Sequence, residues 1–189
     1  MTRHQEVFIR LRTLVINMWI FNRNFVSGRL VLRPLLTTDF ENYCRLVNIP
    51  SVARAAHFRP PKTRQQFLEM FNDDLHLAIT EAILDRNMTW LGFLSLYPQF
   101  GTNRKLRSAR FGLGYALIPK FQNHDYMTVA LRVLIYSLET FGRVRQLTAV
   151  VSENNPASAA VLKQNGFVSY YEQFNLGLNH VNYYYQRKF

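Results

Sequence analysis

The sequence predicts one α/β domain in which a mixed sheet of about seven strands is flanked by about four helices. The segments follow one another as strand, two helices, three strands, helix, strand, helix and two strands. The chain has 189 residues, 48% of them hydrophobic, which suffices for one buried core, and no repeat or linker divides it. Helix-start signals, read separately from the apolar pattern, agree with this order.

The first half of the domain begins with a strand marked by Leu30, Leu32 and Leu35. Thr38-Asp-Phe-Glu41 then forms a predicted capping box, which starts a helix that runs through Leu46. Thr63-Arg-Gln-Gln66 repeats the pattern and opens a second helix, which carries Phe67, Met70 and Phe71.

Three strands follow these helices. The polar turn 85–87 separates strand-like runs at about 75–83 and 90–96, which predicts a hairpin. A strand near 109–118 completes the first part of the sheet. The next helix, 127–141, places Leu131, Leu134, Ile135, Leu138 and Phe141 on one face, with Gly142 as its left-handed stop.

The start of that helix is a candidate phosphate site. It follows a strand directly, so its unpaired amides and positive dipole end point out of the carboxyl end of the sheet, where a pyrophosphate can bind. A second short helix is delimited by Asn155 as N-cap, Pro156 at its first position and Gly166 after its end.

Residues 112–167 resemble the acyl-CoA-binding half of the GNAT N-acetyltransferases. Asn155-Pro-Ala-Ser158, Leu162 and Gly166-Phe167, together with Gly28-Arg-Leu-Val-Leu-Arg-Pro34, are similar to the branch that acetylates ribosomal-protein N-termini (RimJ/RimL-like). The resemblance covers roughly residues 28 to 189. It implies the GNAT fold, whose central sheet is mostly antiparallel and splayed between the fourth and fifth strands.

The resemblance also implies an acyl-CoA site and direct attack of a neutral amine on the acetyl thioester. In the family, the pyrophosphate turn reads Q/R-x-x-G-x-G/A. Here Gln122 matches the first residue, but Asp125 and Met127 stand where the family has Gly and Gly or Ala. Asp125 adds a negative charge and is itself a good N-cap, although aspartate tolerates a positive φ better than most residues.

The implied contacts with acetyl-CoA are therefore assigned residue by residue. Backbone amides near Leu117 and Ile118 would polarise the thioester carbonyl. Asn155 would bind the pantetheine arm, and Ser158 would hydrogen-bond or protonate the leaving thiolate. The remaining predicted cofactor-binding residues form the turn itself, and they are Gln122, Asn123, His124, Asp125, Tyr126 and Met127.

The general base is left open by the sequence. Phe111-Gly-Leu-Gly-Tyr115 contains no carboxylate, which leaves Glu172, Glu81 or a chain of water molecules. Glu172 is the first choice, the alternative being a solvent-facing strand residue. Tyr115 and Tyr183-Tyr184-Tyr185 are interpreted as core and strand residues rather than acids.

The amino-acid composition indicates the cellular compartment of the protein and the kind of partner that it attracts. Cys44 is the single cysteine, so an internal disulfide and a cysteine metal cluster are excluded, and a reducing cytoplasm is the simplest setting. Cys44 is interpreted as a packing residue of a helix. The net charge of +11 attracts polyanions. The basic segment Arg104-Lys-Leu-Arg107 with Arg110 is either a solvated loop or a docking site for RNA, a ribosome or nucleotide phosphates.

The first 27 residues are treated as an N-terminal extension, and residues 28–189 as the domain. The apolar run 13–21 is shorter than the ~20 residues of a membrane-spanning helix, so no membrane anchor is expected. No small-residue cleavage site follows it, which disfavours a signal peptide. The segment is either an amphipathic extension or lies upstream of a natural start at Met18.

Three function classes follow from these observations. The first is an acetyl-CoA-dependent N-acetyltransferase acting on a protein N-terminus or a small amine, indicated by Gln122, Asn155 and Ser158. The second is a catalytically degenerate GNAT domain that serves as a binding or regulatory module, favoured by Asp125 and Met127. The third is a basic protein associated with nucleic acid or the ribosome that performs no chemistry. The oligomeric state is open.

Overall fold

The computed structural model describes residues 25–56, 59–100, 106–141, 144–177 and 179–189. In chain order, its strands are β1 Phe25–Ser27, β2 Leu30–Pro34, β3 Ile79–Asp85, β4 Trp90–Phe100, β5 Leu106–Leu117, β6 Gln146–Ser152, β7 Val168–Asn175 and β8 His180–Lys188. Its α-helices are α1 Phe40–Val47, α2 Pro50–Ala55, α3 Arg64–His76, α4 Tyr126–Phe141 and α5 Pro156–Gln164. Single 3-10 turns occupy Thr37–Asp39 and Pro119–Phe121.

The strands form one sheet in the order β1-β2-β3-β4-β5-β6-β8-β7. Every neighbouring pair is antiparallel except β5 and β6, which are parallel. The parallel pairing joins only Arg110–Gly112 to Gln146–Thr148, although β5 continues to Leu117 and β6 to Ser152. The two strands therefore diverge beyond Gly112, which confirms the predicted mixed, mostly antiparallel, splayed sheet.

The described sheet has eight strands rather than about seven, because β1 pairs with β2 at the edge. When β1 is left out, the splay lies between the fourth and fifth strands, as expected. Gly28 in the β1–β2 turn has φ of 53°, a left-handed conformation that favours glycine. Residues 25–27 thus join the sheet although the predicted extension includes them. Residues 1–24, with the apolar run 13–21 and Met18, lie outside the described residues.

Hydrophobic cores lie on both faces of the sheet. One core contains Leu131, Leu134, Ile135 and Leu138 of α4, which confirms the predicted apolar face of this helix. The other contains Tyr43 and Leu46 of α1, Val52 of α2 and Phe71 of α3. The sheet therefore separates a face covered by α4 and α5 from a face covered by α1, α2 and α3.

The helix starts agree with the sequence in part. Thr63 caps α3, because its hydroxyl accepts from the Gln66 amide at 3.2 Å. The capping box predicted at Thr38 is wrong. Asp39 instead accepts from the Leu36 amide at 2.9 Å and pairs with Arg33, so the chain makes a 3-10 turn before α1 begins at Phe40.

Two other boundaries differ from expectation. α3 continues to His76, so β3 begins at Ile79 rather than near 75. The short helix α2 was not predicted, and its apolar residues Val52 and Ala53 are buried against the sheet. Gly142, the predicted helix stop, lies outside the described residues. None of the helices described is long and apolar enough to cross a membrane.

Candidate active site

A cavity of about 590 Å³ lies where β5 and β6 diverge. Its walls come from β4, β5, β6, the β5–α4 turn, α4, α5 and α2. Many of the residues assigned to cofactor binding line it, namely Leu117, Gln122, Asn123, Asp125, Tyr126, Met127, Asn155 and Ser158. His124 and Ile118 belong to the same segment without lining the cavity.

The cavity is open to both faces of the sheet. Along β5, Leu113 and Leu117 belong to the core beside α4, whereas Ala116 packs with the core beside α1 to α3. Met127 of α4 and Val52 of α2, from opposite faces, both line the cavity. Two reactants can therefore approach the same point from opposite sides of the sheet.

The β5–α4 turn keeps a left-handed backbone without glycine. Asn123 has φ of 62° and Asp125 has φ of 59°, and both residue types tolerate this region better than others. The turn is braced by the Gln122 side chain, whose Nε2 donates to the Leu117 carbonyl at 3.0 Å. His124 Nδ1 lies 2.6 Å from the Gln122 carbonyl oxygen.

Asp125 does not cap α4 through its carboxylate. Its backbone carbonyl accepts from the Val129 amide at 2.9 Å, but its side chain has no hydrogen bond or ion pair within the described residues. An N-cap side chain needs an extended backbone, which φ of 59° does not provide. The amides at the start of α4 therefore remain available to a ligand.

Met127 occupies the second position where the family has a small residue. It is only 6% exposed and belongs to the core beneath α4, while still reaching the cavity wall. Its bulk is thus directed mainly into the core. The Met127 side chain therefore occupies less of the turn than its size suggests.

Basic side chains surround the turn, and one of them was missed in the sequence. The Arg29 guanidinium lies 5.7 Å from the centre of the Tyr126 ring, and the ring of His124 stacks on Tyr126 at 6.0 Å. Lys120 lies 4.7 Å from the centre of the Phe121 ring. Arg29 is remote in sequence and has no linear signal, since its position depends on the β1–β2 turn.

Asn155 and Ser158 stand on the opposite wall. The Asn155 Oδ1 accepts from the Ser158 amide at 3.1 Å, which starts α5 as predicted, and its Nδ2 contacts the Ala55 carbonyl at 3.4 Å. The Ser158 carbonyl accepts from the Tyr115 hydroxyl at 3.2 Å. The Ser158 side chain also interacts with the Tyr115 hydroxyl, and this contact lowers the pKa of Tyr115.

Tyr115 was interpreted as a core residue, and it is also part of the cavity wall. Burial raises its pKa well above the ordinary value, an effect that the hydrogen bond with Ser158 opposes. It therefore stays protonated at neutral pH and ties β5 to α5 across the opening.

One of the two predicted oxyanion-hole amides is unavailable. The Ile118 amide donates to the Leu91 carbonyl at 2.9 Å, so it cannot polarise a thioester. Hydrogen-bonded and open pairs alternate along an antiparallel ladder, and Leu117 is paired with Gly92 in the next position. Its amide, and that of Tyr115, accordingly point away from β4 toward the splay. The backbone amides of Leu117 and Tyr115 are therefore the ones that face the splay.

The structure brings neither candidate base to the cavity. Glu172 is exposed on β7, opposite Tyr183, and lies outside the cavity wall. Glu81 is 1% exposed in β3, and its carboxylate has no hydrogen-bond partner among the described residues. Burial raises the pKa of Glu81 well above its usual value, against the attraction of Arg33.

Other predicted features lie away from the cavity. Cys44 is half-buried on α1, and burial raises its pKa, so it is not an activated thiol. Of the basic segment, residues 104 and 105 lie outside the described ranges, and Arg110 is exposed where β5 meets β6. No group of three or more His, Cys, Asp or Glu residues that could hold a metal ion occurs within those ranges.

Several solved structures are similar over most of the chain. An acetyltransferase of the GNAT family from Bacillus anthracis is 15% identical, with a TM-score of 0.74, and the match covers 88% of this chain and 98% of that one. Spermidine N-acetyltransferase from Vibrio cholerae, solved with CoA and spermine, is 16% identical, with a TM-score of 0.72 and coverage of 86% and 96%. Ribosomal-protein-S5-alanine acetyltransferase from Vibrio fischeri is 18% identical, with a TM-score of 0.67 and coverage of 88% and 97%.

At the level of sequence, no curated protein matches the chain significantly. A profile of the acetyltransferase (GNAT) domain matches residues 29–168, which is most of the chain and includes both walls of the cavity. By this match, and by the splayed sheet around the cavity, the chain belongs to the GNAT acetyltransferase family.

Proposed function

We propose that the protein is an acetyl-CoA-dependent N-acetyltransferase that moves an acetyl group to a primary amine by direct attack. The observation that carries this proposal is the cavity at the splay, which is open to both faces of the sheet and has a left-handed helix-start turn at one end. Acetyl-CoA would enter from the α4 and α5 face. The amine would enter from the face of α1, α2 and α3.

The turn would hold the pyrophosphate. The free amides at the start of α4 and the positive end of the helix dipole favour an anion there. Asp125 is exposed at the turn and would repel the phosphates, whereas Arg29 and Lys120 supply positive charge nearby. We therefore expect the protein to bind acetyl-CoA weakly.

The reacting end of the thioester would lie between Leu117 and Ser158. The outward amides of Leu117 and Tyr115 would polarise the carbonyl as an oxyanion hole does. The hydroxyl of Ser158, a residue of the cavity wall, would hydrogen-bond the leaving thiolate. Holding donor and acceptor on opposite sides of one opening supplies proximity.

Among amine acceptors, a protein N-terminus suits the acceptor face better than a polyamine. That side of the cavity is lined by Val52, Ala55, Ala56, Tyr97 and Gln99, all uncharged. Asp125, on the donor side, is the one carboxylate among the described lining residues. A polycation binds most favourably to an acidic wall, so we expect an alanine-terminated peptide to be preferred over spermidine.

The test combines binding and turnover. Calorimetric titration with acetyl-CoA should show binding in the micromolar to millimolar range, and incubation with a peptide carrying a free N-terminal alanine should give the N-acetyl peptide by mass spectrometry. Spermidine serves as the second acceptor. Binding without transfer to either acceptor would favour the second candidate, a degenerate GNAT domain that acts as a binding module. The residues that favour this candidate are Asp125 and Met127.

The proposal also includes a cytoplasmic location and proximity to RNA or the ribosome. The free Cys44 suits a reducing compartment, and the net charge of +11 favours association with polyanions. Co-sedimentation with ribosomes should fall steeply as salt concentration rises. Retention that is independent of salt would argue against an electrostatic association.

A further inference from the structure

A buried hydrogen-bonded cluster joins the acceptor face of the cavity to α3. At its centre is Asp74, a residue of α3 that is only 5% exposed. One carboxylate oxygen accepts from the Tyr43 hydroxyl at 2.5 Å, and the other accepts from the Tyr97 hydroxyl at 2.8 Å. The Asp74 backbone carbonyl accepts from the Thr80 hydroxyl at 2.8 Å. The carboxylate is therefore held in place by partners from α1 and β4.

The two tyrosines differ in what else they touch. Tyr43 is 1% exposed, so it contacts only the interior. Tyr97 is 40% exposed and lines the cavity. Asp74 is itself absent from the cavity wall. Tyr97 is thus the link between the cavity and a carboxylate that the cavity does not reach directly.

The ring of Tyr97 lies at the base of the splay. A Cβ at Gly114 would be 3.0 Å from Cε2 of Tyr97 and 3.8 Å from its hydroxyl oxygen, so the ring lies against β5 where a side chain is missing. Gly114 is two residues beyond Gly112, the last residue of β5 that pairs with β6. The next residue, Tyr115, reaches the Ser158 carbonyl from the other face of the strand. The Tyr97 hydroxyl and Ser158 therefore stand on opposite sides of the proposed reaction centre.

We propose that Tyr97 and Asp74 form the proton relay that acts as general base for the amine acceptor. This inference rests on the proposed acetyl transfer. As the bond between the amine nitrogen and the carbonyl carbon forms, the amine proton passes to the Tyr97 oxygen, and the Tyr97 proton passes to Asp74. The carbon–sulfur bond breaks, and its electron pair leaves on the thiolate. Asp74 afterwards returns its proton to solvent through Tyr97.

The electrostatics of the cluster suit this role. Burial raises the pKa of Asp74 above its ordinary value, an effect that Asp73 reinforces and that the hydrogen bonds from Tyr43 and Tyr97 oppose. Burial and the adjacent Asp74 raise the pKa of Tyr97, while a hydrogen bond with Ser95 lowers it. Tyr97 thus remains a phenol that can donate and accept at once. Asp74 is a stronger base than an exposed aspartate, and general bases work best near the operating pH.

The cluster also offers a matched control. Tyr43→Phe removes a hydrogen bond to the same carboxylate without touching the cavity. It should raise the pKa of Asp74, because the lost hydrogen bond stabilised the charged form. Tyr97→Phe removes the group that would carry the proton. The two variants delete the same atom from chemically similar positions, so they separate the relay from the stability of the cluster.

The experiment measures kcat against pH for wild type, Tyr97→Phe, Asp74→Asn and Tyr43→Phe, with acetyl-CoA and the alanine-terminated peptide. Tyr97→Phe and Asp74→Asn should each lower kcat by about a hundredfold or more at neutral pH, as general-base loss does. Titration of the substrate amine affects both enzymes equally, so the ratio of the wild-type rate to the Asp74→Asn rate does not depend on it. This ratio should fall toward one as the pH is lowered and Asp74 becomes protonated. In Tyr43→Phe the acidic limb should move to higher pH, with the rate above it kept within about threefold.

The outcomes separate the relay from the proposed function. An active wild type with Tyr97→Phe retaining its rate and pH profile overturns the relay alone, and leaves the cluster as an anchor of α3. Equal losses in Tyr43→Phe and Tyr97→Phe also overturn it, since only one of them faces the cavity. If wild type neither binds acetyl-CoA nor acetylates the peptide or spermidine, both the function and the relay are wrong. Thermal unfolding and acetyl-CoA titration of each variant identify losses that come from misfolding.

Discussion

At the scale of single residues, Ser158 combines a hydrogen-bonded backbone with a position on the cavity wall. Its amide donates to the Asn155 side chain and its carbonyl accepts from the Tyr115 hydroxyl, so these two bonds fix the backbone. These contacts do not involve the side-chain oxygen. A substitution that removes this oxygen should therefore change chemistry and not folding.

Ser158→Ala should lower turnover with acetyl-CoA by about ten to a thousandfold, since acid–base assistance is typically worth ~10²–10⁴-fold. The melting temperature should stay within a degree or two of wild type. Asn155→Ala is the contrasting variant, because loss of an N-cap costs about 1 kcal/mol of stability. A Ser158→Ala enzyme with the wild-type rate would remove the hydroxyl from the mechanism.

Glu81 is a buried carboxyl group whose pKa is raised by desolvation. The folded state then binds its proton more tightly than the unfolded state does. Stability contributed by the protonated form is present at low pH and is lost as pH rises from the unfolded pKa of about 4.3 toward the folded one. Glu81→Gln removes this dependence without changing the shape of the side chain.

We expect Glu81→Gln to be more stable than wild type at pH 8, because the buried carboxyl group is penalised when it ionises whereas the amide stays neutral; a shift of one pKa unit is worth about 1.4 kcal/mol. The difference should vanish near pH 4, as measured by urea unfolding at each pH. Glu172→Gln, on the exposed strand β7, is the control and should show no such trend. A constant difference between pH 4 and 8 would mean that Glu81 does not titrate in this range.

At the scale of elements, the β5–α4 turn is the proposed pyrophosphate site. Its left-handed positions are occupied by Asn123 and Asp125 instead of glycine. The self-capping expected of Asp125 is not formed, so the effect of this residue on stability differs from what its type suggests. Glycine adopts φ near 59° without strain.

Asp125→Gly should tighten acetyl-CoA binding by about ten to a hundredfold, because it removes a charge that repels the phosphates, worth roughly 1–3 kcal/mol. Stability should be unchanged or rise by up to about 1 kcal/mol, since the strain of a left-handed aspartate is relieved. Asp125→Asn keeps the backbone preference and removes only the charge. Calorimetric titration of the three proteins separates the two effects.

The result also distinguishes the two function classes. Binding gained by the glycine variant, with none by wild type at millimolar acetyl-CoA, identifies a degenerate domain. If neither protein binds, the site has been lost by more than one residue. An affinity that is equal in all three proteins would show that Asp125 does not face the phosphates.

The same turn shows how far sequence reasoning reaches. Gln122, Asn155 and Ser158 were assigned from local motifs, and each lies at the cavity because the motif also sets the local backbone. Arg29, Tyr97 and Asp74 were not assigned, because no short spacing joins them to the motif. Glu172 was chosen for its place in the sequence, and the hairpin of β7 and β8 carries it to the outer edge of the sheet.

At the scale of the whole molecule, the sheet begins at β1, and the first 17 residues precede it. We predict that deletion of residues 1–17 leaves a folded domain with one cooperative thermal transition, because β1 and both cores stay intact. Deletion of residues 1–29 is the matched comparison. It removes β1 and Arg29, and should lower both the melting temperature and the affinity for acetyl-CoA. Loss of the cooperative transition in the shorter deletion would place the extension within the core.

The sequence by itself determined the order of helices and strands apart from β1 and α2, the apolar face of α4, the caps at Thr63 and Asn155, and the family. Each of these depends on neighbours within a few residues, where periodicity and capping operate. Only the tertiary structure decided that Asp74 meets a tyrosine 31 residues before it and another 23 residues after it. Strand register and helix packing make such contacts, and no local pattern encodes them. The proposed base therefore became visible only once the sheet was assembled.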